Sequence, residues 1–207
     1  ARQDRKDQPR VPITAKLMAN LMTTAGAERV LTMDLHSAQI QGFFDIPFDH
    51  LYASPVFVEH VKSRFPSNLT VVAPDIGSVK MARAYATRLE APLALIDKRR
   101  PRADEIDVMN VIGDVDGRNV VIFDDIISTG GTLVKAARAL KERGAMEIMA
   151  CVTHSVFSEG FYEKIDRSDI ASLAVTDTIY HDPAELARRT ERVEILSVAR
   201  ILGEAIH

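Results

Sequence analysis

The sequence contains a single cysteine and no long apolar run. One cysteine, Cys151, excludes an intramolecular disulfide framework and fits a reducing environment, so we expect a cytoplasmic protein. Cys151 lies in the apolar run 148–152, which predicts a small buried side chain rather than a reactive thiol. No run is long and apolar enough to predict a helix that crosses a membrane, so we expect no membrane partner.

The sequence also has no excess of basic charge. Its 26 basic and 29 acidic side chains give a net charge of −3, which argues against a surface built to bind nucleic acid. Apolar residues make up 46% of the 207 residues, enough for a buried core in one large domain or one and a half smaller ones. Residues 1–6 have neither an initiator methionine nor an apolar signal core, so we expect a chain truncated at its N terminus.

Short apolar runs alternate with amphipathic helical patterns along the chain. The predicted strands are 29–33, 69–73, 93–96, 120–123, 147–152, 173–175 and 193–196, and the predicted helices are 13–24, 55–64, 79–89, 132–143 and 198–206. This alternation predicts an α/β fold with a mainly parallel sheet and helices on both faces. Such sheets bind ligands beyond the carboxyl ends of their strands, so functional residues are expected there.

The strongest motif follows the predicted strand 120–123. It consists of Asp124, Asp125, Ser128, Thr129, Gly130, Gly131 and Thr132. Backbone N–H groups at a helix N terminus attract phosphate, and the two carboxylates suit sugar hydroxyls or a metal ion. The alternative is an ordinary turn with Thr132 as the helix cap, but capping leaves two acids at the end of an apolar strand unexplained. The motif therefore predicts a sugar-phosphate site.

Polar residues follow three other predicted strands. Asp34 and His36 follow the first, and Asp75 follows the second. A basic cluster at 98–102 follows the third; such a cluster is usually a solvated charge run or a nucleic-acid patch. The net negative charge and the place of the cluster after a buried strand favour contact with phosphate instead.

These motifs resemble those of a known family. Residues 124–132 resemble the binding loop of the phosphoribosyltransferase-type fold, and residues 1–6, 32–44, 72–75 and 97–102 resemble motifs of ribose-phosphate pyrophosphokinases. The resemblance implies a phosphoribosyltransferase-type sheet. It further implies that residues 1–52 are the C-terminal remnant of a first domain of this type and that residues 53–207 are a second one with a closing helix. The best candidate for a boundary from composition alone is 44–55, which contains two prolines.

The resemblance also implies a reaction and its partners. The diphosphoryl group of ATP would pass to the anomeric hydroxyl of ribose 5-phosphate, giving phosphoribosyl pyrophosphate and AMP, with Mg²⁺ as the cofactor. Full-length members form homo-oligomers that ADP and phosphate regulate. A truncated chain is expected to catalyse poorly or not at all when alone.

Individual residues acquire roles from the same resemblance. Arg2 and Gln3 would contact ATP, and Lys98 and Arg100 would act on the transferring group. His36 and Asp75 would bind the metal, with Asp34 as a further candidate; taken alone, His36 could equally be a structural histidine. Ribose 5-phosphate would contact Arg100, Asp124, Asp125, Ser128, Thr129, Gly130, Gly131 and Thr132.

Two departures and two other hypotheses accompany this interpretation. Ser128 stands where the commoner family loop has an acid, and Gly77 and Ser78 stand where two glycines are usual. A base phosphoribosyltransferase would share the loop but has no reason to keep the motifs at 34–44 and 98–102. A non-catalytic regulatory subunit would be expected to lose Lys98 and Arg100, which are present.

Overall fold

The computed structural model describes residues 2–6, 8–99 and 108–207. Contacts between Cα atoms divide the chain into two compact units. Unit 1 comprises Ala1–Ala53 with Ile201–His207, and unit 2 comprises Ser54–Arg200. The predicted boundary at 52/53 lies one residue from this division, but the division groups 201–207 with the first unit rather than the second.

Unit 1 contains a helix, two short strands and a 3-10 helix. The helix α1 spans Thr14–Thr24, β1 spans Val30–Met33, the 3-10 helix spans Ala38–Phe43 and β2 spans Phe48–Leu51. The two strands are parallel, with Val30 opposite Phe48. The sequence did not predict β2, because its four residues show no period-two alternation and all four are half-buried.

Unit 2 is built on a seven-stranded sheet. Its strands are β3 (Leu69–Ala73), β4 (Leu93–Arg99), β5 (Val108–Ile112), β6 (Asn119–Ile127), β7 (Ile148–Ser155), β8 (Ser172–Thr176) and β9 (Val193–Leu196). Their order is β5-β4-β3-β6-β7-β8-β9, and every neighbouring pair is parallel except β4 and β5. The predicted mainly parallel α/β fold is confirmed.

The helices cover both faces of this sheet. They are α2 (Ser54–Arg64), α3 (Val79–Leu89), α4 (Gly131–Glu142), α5 (Phe161–Asp166) and α6 (Pro183–Arg189). The closing helix α7 spans Ala199–Ile206, and most of its residues belong to unit 1. Successive strand residues point to opposite faces. On one face of β6, Ile122 belongs to the same buried cluster as Leu140 of α4. On the other face, Phe123 stacks on Tyr85 of α3 at 3.6 Å and meets Phe57 of α2 edge-on at 6.3 Å.

Two strands run further than the sequence predicted. The strand β6 continues to Ile127 because its last residues pair with β7, Asp124 opposite Val152 and Ile127 opposite Ser155. The strand β4 continues to Arg99 because it pairs with β5, which the sequence did not predict. Polar side chains in both extensions interrupt the hydrophobic pattern, so the pattern did not predict these residues as parts of strands.

The expectation for the single cysteine agrees with the structure. Cys151 is fully buried in β7, as predicted, and burial raises the pKa of its thiol. In the part of the chain that the structure describes, no helix combines the length and the apolar character that crossing a bilayer requires.

We expect Phe123→Ala to lower the free energy of unfolding by about 3–5 kcal/mol, because it removes a fully buried ring that packs between α2 and α3. The matched control is Tyr180→Ala, whose ring is 79% exposed and whose loss should cost less than about 0.5 kcal/mol. Urea unfolding followed by circular dichroism measures both, and equal losses would contradict this account of the core.

Candidate functional site

The anion loop, defined as residues 128–132, joins β6 to α4 at the carboxyl edge of the sheet. Gly130 is the N-cap of α4, and Thr132 lies within the first helical turn with its side chain exposed. Among the described residues, no side chain hydrogen-bonds to the capping N–H groups of α4. The alternative in which Thr132 caps the helix is therefore wrong, and the first-turn N–H groups suit an anion.

Two features of its position favour glycine at residue 130. Its φ angle of +72° is one that other residues rarely adopt. A Cβ atom built on Gly130 would also lie 3.3 Å from Cδ2 of the buried Phe161 ring. The turn that directs α4 away from β6 therefore depends on a glycine.

The carboxylates of Asp124 and Asp125 lie in the last part of β6. The pKa of Asp124 is raised to about 7, mainly by burial and in addition by the side chain and charge of Asp125. The charge of Asp75 contributes in the same direction, while the Asp125 N–H group, 2.9 Å from Asp124 Oδ1, opposes the shift. A ligand that donates hydroxyl hydrogens or brings positive charge would relieve this accumulation of negative charge.

Asp75 lies in the loop between β3 and α3. It is exposed, and its Oδ1 atom accepts a hydrogen bond of 2.8 Å from the Ser78 N–H group. The Ser78 hydroxyl donates in turn to the Asp75 carbonyl at 2.9 Å, so the loop is held by its own polar groups. Because β3 and β6 are parallel neighbours, Asp75 follows its strand at the same edge as the acidic pair.

The backbone of Lys98 lies in the extension of β4. Its Cα partner is Met109 of β5, beyond the last residue of β4 that pairs with β3, Leu95. Since β3 and β4 are parallel, this extension continues past the carboxyl end of β3. Arg100, the other residue expected to act on the transferring group, lies outside the described residues.

In unit 1, the segment 2–6 is tied to its neighbours. Gln3 Oε1 accepts a hydrogen bond of 2.5 Å from the Thr14 hydroxyl at the start of α1, and Arg2 is exposed. Asp4 accepts a hydrogen bond of 2.7 Å from Ser37, which lowers the pKa of Asp4. The structure thus brings together the two predicted motifs of unit 1, residues 2–6 and the loop that contains His36.

The loop after β1 is shaped by Asp34. This residue has a φ angle of +40°, and its Oδ2 atom accepts a hydrogen bond of 3.1 Å from the Ala53 N–H group. The Leu35 N–H group donates to His50 Nε2 at 3.0 Å, and burial lowers the pKa of His50. His36 itself is exposed, and its electrostatic interaction with Asp4 makes the smallest contribution to the lowered pKa of Asp4. Asp34 therefore has a structural task in this loop.

Within residues 2–6, 8–99 and 108–207, no group of three or more His, Cys, Asp or Glu side chains is arranged to hold a metal ion. Mg²⁺ does not require such a cluster, because it is commonly bound by one or two carboxylates together with waters and substrate phosphates. Asp75, exposed and fixed by Ser78, fits that mode of binding.

The sequence did not identify a contact between the anion loop and the segment after β7. The hydroxyl groups of Ser128 and Ser158 lie 2.5 Å apart, and the Ser158 N–H group donates to the Ser128 carbonyl at 3.0 Å. Ser158 lies beyond the carboxyl end of a parallel strand, so the strand-end rule that identified the other motifs would also have indicated it.

The described sheet and the loop between β6 and α4 define an α/β domain of the phosphoribosyltransferase type. Residues 101–207, slightly more than half of the chain, match the model of the phosphoribosyl synthetase-associated domain. The chain therefore belongs to the family of the phosphoribosyl synthetase-associated domain. Residues 1–26 match the N-terminal domain of ribose phosphate pyrophosphokinase.

Relatives along the whole chain confirm the resemblance. The chain is 52% identical to a ribose-phosphate pyrophosphokinase from Chlorobaculum tepidum and 54% identical to one from Bordetella pertussis, in each case over 100% of the chain. It spans 63% and 66% of the length of these two relatives. A crystal structure of phosphoribosylpyrophosphate synthetase from Mycobacterium smegmatis superimposes with a TM-score of 0.90 and 37% identity, over 99% of this chain and 66% of that one.

We expect Asp124→Asn to change how stability depends on pH. Because the pKa of Asp124 in the folded protein is about 7, above the ordinary 3.8, the folded state keeps a proton that the unfolded state loses. The contribution of Asp124 to stability therefore falls as the pH rises from about 4 to 7. The Asn variant should lack this loss and be more stable at pH 8 by roughly 1–2 kcal/mol.

Urea unfolding at pH 5 and pH 8 measures this difference. The control is Asp169→Asn, a change at an exposed aspartate. Its free energy of unfolding should depend on pH in the same way as that of the wild type. If the free energy of unfolding changed equally between pH 5 and pH 8 in the wild type and in the Asp124→Asn variant, the raised pKa of Asp124 would be contradicted.

Proposed function

We propose that this chain forms the ribose 5-phosphate-binding part of a ribose-phosphate pyrophosphokinase. In that reaction the diphosphoryl group of ATP is transferred to the anomeric hydroxyl of ribose 5-phosphate, and the products are phosphoribosyl pyrophosphate and AMP. The observation that carries the proposal is the anion loop, which follows directly on Asp124 and Asp125. Similarity along the whole chain to proteins named ribose-phosphate pyrophosphokinase supports it.

The anion loop suits the phosphate of the sugar. The first turn of α4 presents N–H groups and the positive end of the helix dipole, and the helix is 12 residues long. The exposed side chains of Thr129 and Thr132 add hydroxyl donors. With the phosphate held there, the ribose hydroxyls would donate to Asp124 and Asp125, whose mutual repulsion such hydrogen bonds reduce.

The metal is proposed to be Mg²⁺, held by Asp75 and His36. When bound, Mg²⁺ neutralises charge on the phosphates of the nucleotide. The charge of Asp75 already raises the pKa of Asp124, so a cation beside Asp75 would stabilise both carboxylates. His36 would take part as a neutral imidazole, and Asp34, whose carboxylate accepts from the Ala53 N–H group, is the weaker candidate.

The remaining roles concern ATP and the group in transfer. Arg2 could pair with phosphate or stack on adenine, and Gln3 could hydrogen-bond the base or the ribose of ATP. Lys98 and Arg100 would stabilise negative charge on the transferring group, where fixed cations contribute most to phosphoryl transfer. The proposal extends to a cytoplasmic homo-oligomer regulated by ADP and phosphate.

We expect AMP to form from ATP only when ribose 5-phosphate and Mg²⁺ are both present, and chelation of the metal should abolish it. The assay is run on this chain beside a version that carries a complete N-terminal domain of ribose phosphate pyrophosphokinase. The longer protein should be the more active of the two. Consumption of phosphoribosyl pyrophosphate that depends on a nucleobase, without AMP formation from ATP, would instead indicate a base phosphoribosyltransferase.

In the longer protein, Lys98→Ala should lower kcat by about 100-fold or more, because the lysine acts mainly on the transition state. The affinity for ribose 5-phosphate, measured by calorimetry, should change by less than about threefold. Lys164→Ala, at an exposed position of α5, is the matched control and should retain wild-type kcat. Normal turnover by the Lys98 variant would show that the catalytic role is wrongly assigned.

A further inference from the structure

The segment after β7 holds the anion loop at two points. At the first, Ser158 contacts Ser128 through both its N–H group and its hydroxyl, at 3.0 and 2.5 Å. At the second, the buried ring of Phe161 packs beneath Gly130. We call residues 155–161 the supporting segment.

The supporting segment is itself fixed by its surroundings. Phe157 stacks on Phe161 with ring centroids 4.1 Å apart and on His181 at 4.7 Å. His181 Nε2 lies 2.8 Å from the carbonyl oxygen of the buried Ser155, and since a carbonyl only accepts, this nitrogen donates. A segment held in this way presents Ser158 in one place, which a freely moving loop could not do.

We infer that Ser158 is a positioning residue for the phosphate that the anion loop binds. Only one hydrogen lies between the two hydroxyl oxygens, and either serine can donate it. If Ser158 donates, the hydrogen of Ser128 remains available for a phosphate oxygen. An anion in the loop accepts but cannot donate, so its binding selects this direction, and the two hydrogen bonds strengthen each other.

This inference rests on the proposed function, because it requires an anion in the loop. It goes beyond the sequence-based expectation for Ser128, which named that residue as a contact of ribose 5-phosphate and did not connect it with Ser158. In the structure, the donor is oriented by a second hydroxyl 30 positions further along the chain. The effect of Ser158 on binding should therefore depend on Ser128.

The test is a double-mutant cycle on this chain, with ribose 5-phosphate and inorganic phosphate as the titrated probes. The variants are Ser128→Ala, Ser158→Ala, Ser158→Thr and the double alanine variant. Ser168→Ala is the control, since the hydroxyl of Ser168 likewise fixes a loop, by donating to the Ile165 carbonyl at 2.7 Å, but after α5. Calorimetry gives Kd for each probe, and thermal melting reports whether each variant is folded.

Each alanine variant should raise Kd for both probes about 5- to 10-fold, the usual effect of losing one hydrogen bond. The double variant should bind as weakly as Ser128→Ala alone, because Ser158 acts through Ser128. Ser158→Thr keeps the hydroxyl and should bind within about twofold of wild type, as should Ser168→Ala.

Two results would overturn the inference while leaving the proposed function intact. One is wild-type affinity in the Ser158→Ala variant, and the other is a double variant whose loss is the product of the two single losses. Should Ser158→Ala not fold, wild-type affinity in Ser128→Ala overturns the inference equally. A wild-type chain that binds neither probe removes the proposed function itself, so the two failures are distinguishable.

Discussion

The reversal of the chain between β6 and α4 is the constraint on which the candidate site depends. Gly130 makes it possible by adopting a φ angle of +72° while lying against the ring of Phe161, which would have to shift to admit a Cβ atom. This turn places the N terminus of α4 directly beyond the strand that carries Asp124 and Asp125. A phosphate and a sugar can then be bound by one continuous piece of chain, largely through backbone groups whose positions the fold already determines.

The same edge of the sheet carries an electrostatic cost. Asp124 is partly buried, and the charges of Asp125 and Asp75 act on it in the direction that raises its pKa. Such an arrangement lowers the stability of the protein without its ligands, because burial and repulsion both disfavour the charged carboxylate. A sugar that donates hydroxyl hydrogens, or a metal ion beside Asp75, reduces the cost. Acidic residues that lower the stability of the protein without its ligands can therefore be retained at a binding site.

Local patterns predicted much of this fold. The strands 69–73 and 193–196 and the helix 79–89 have the bounds that their sequence patterns indicate, since burial on one or both faces gives a regular period. The strands β2 and β5 were missed, because pairing with a neighbour stabilises them more than their own composition does. The extension of β4 through Asp97 and Lys98 was missed for the same reason: polar residues join a ladder when an antiparallel partner supplies the hydrogen bonds.

The sequence by itself determined the α/β class, the family resemblance and the place of the anion loop, because strand-helix alternation and a glycine-rich turn are short-range features. It could not determine the pKa of Asp124, the need for glycine opposite Phe161, or the hydroxyl pair of Ser128 and Ser158. Each of these depends on which residues the pairing of β6 with β7, or of β6 with β3, brings to the same edge. Register between strands is set by packing across the whole sheet, so contacts between residues 30 or more positions apart appear only when the chain has folded.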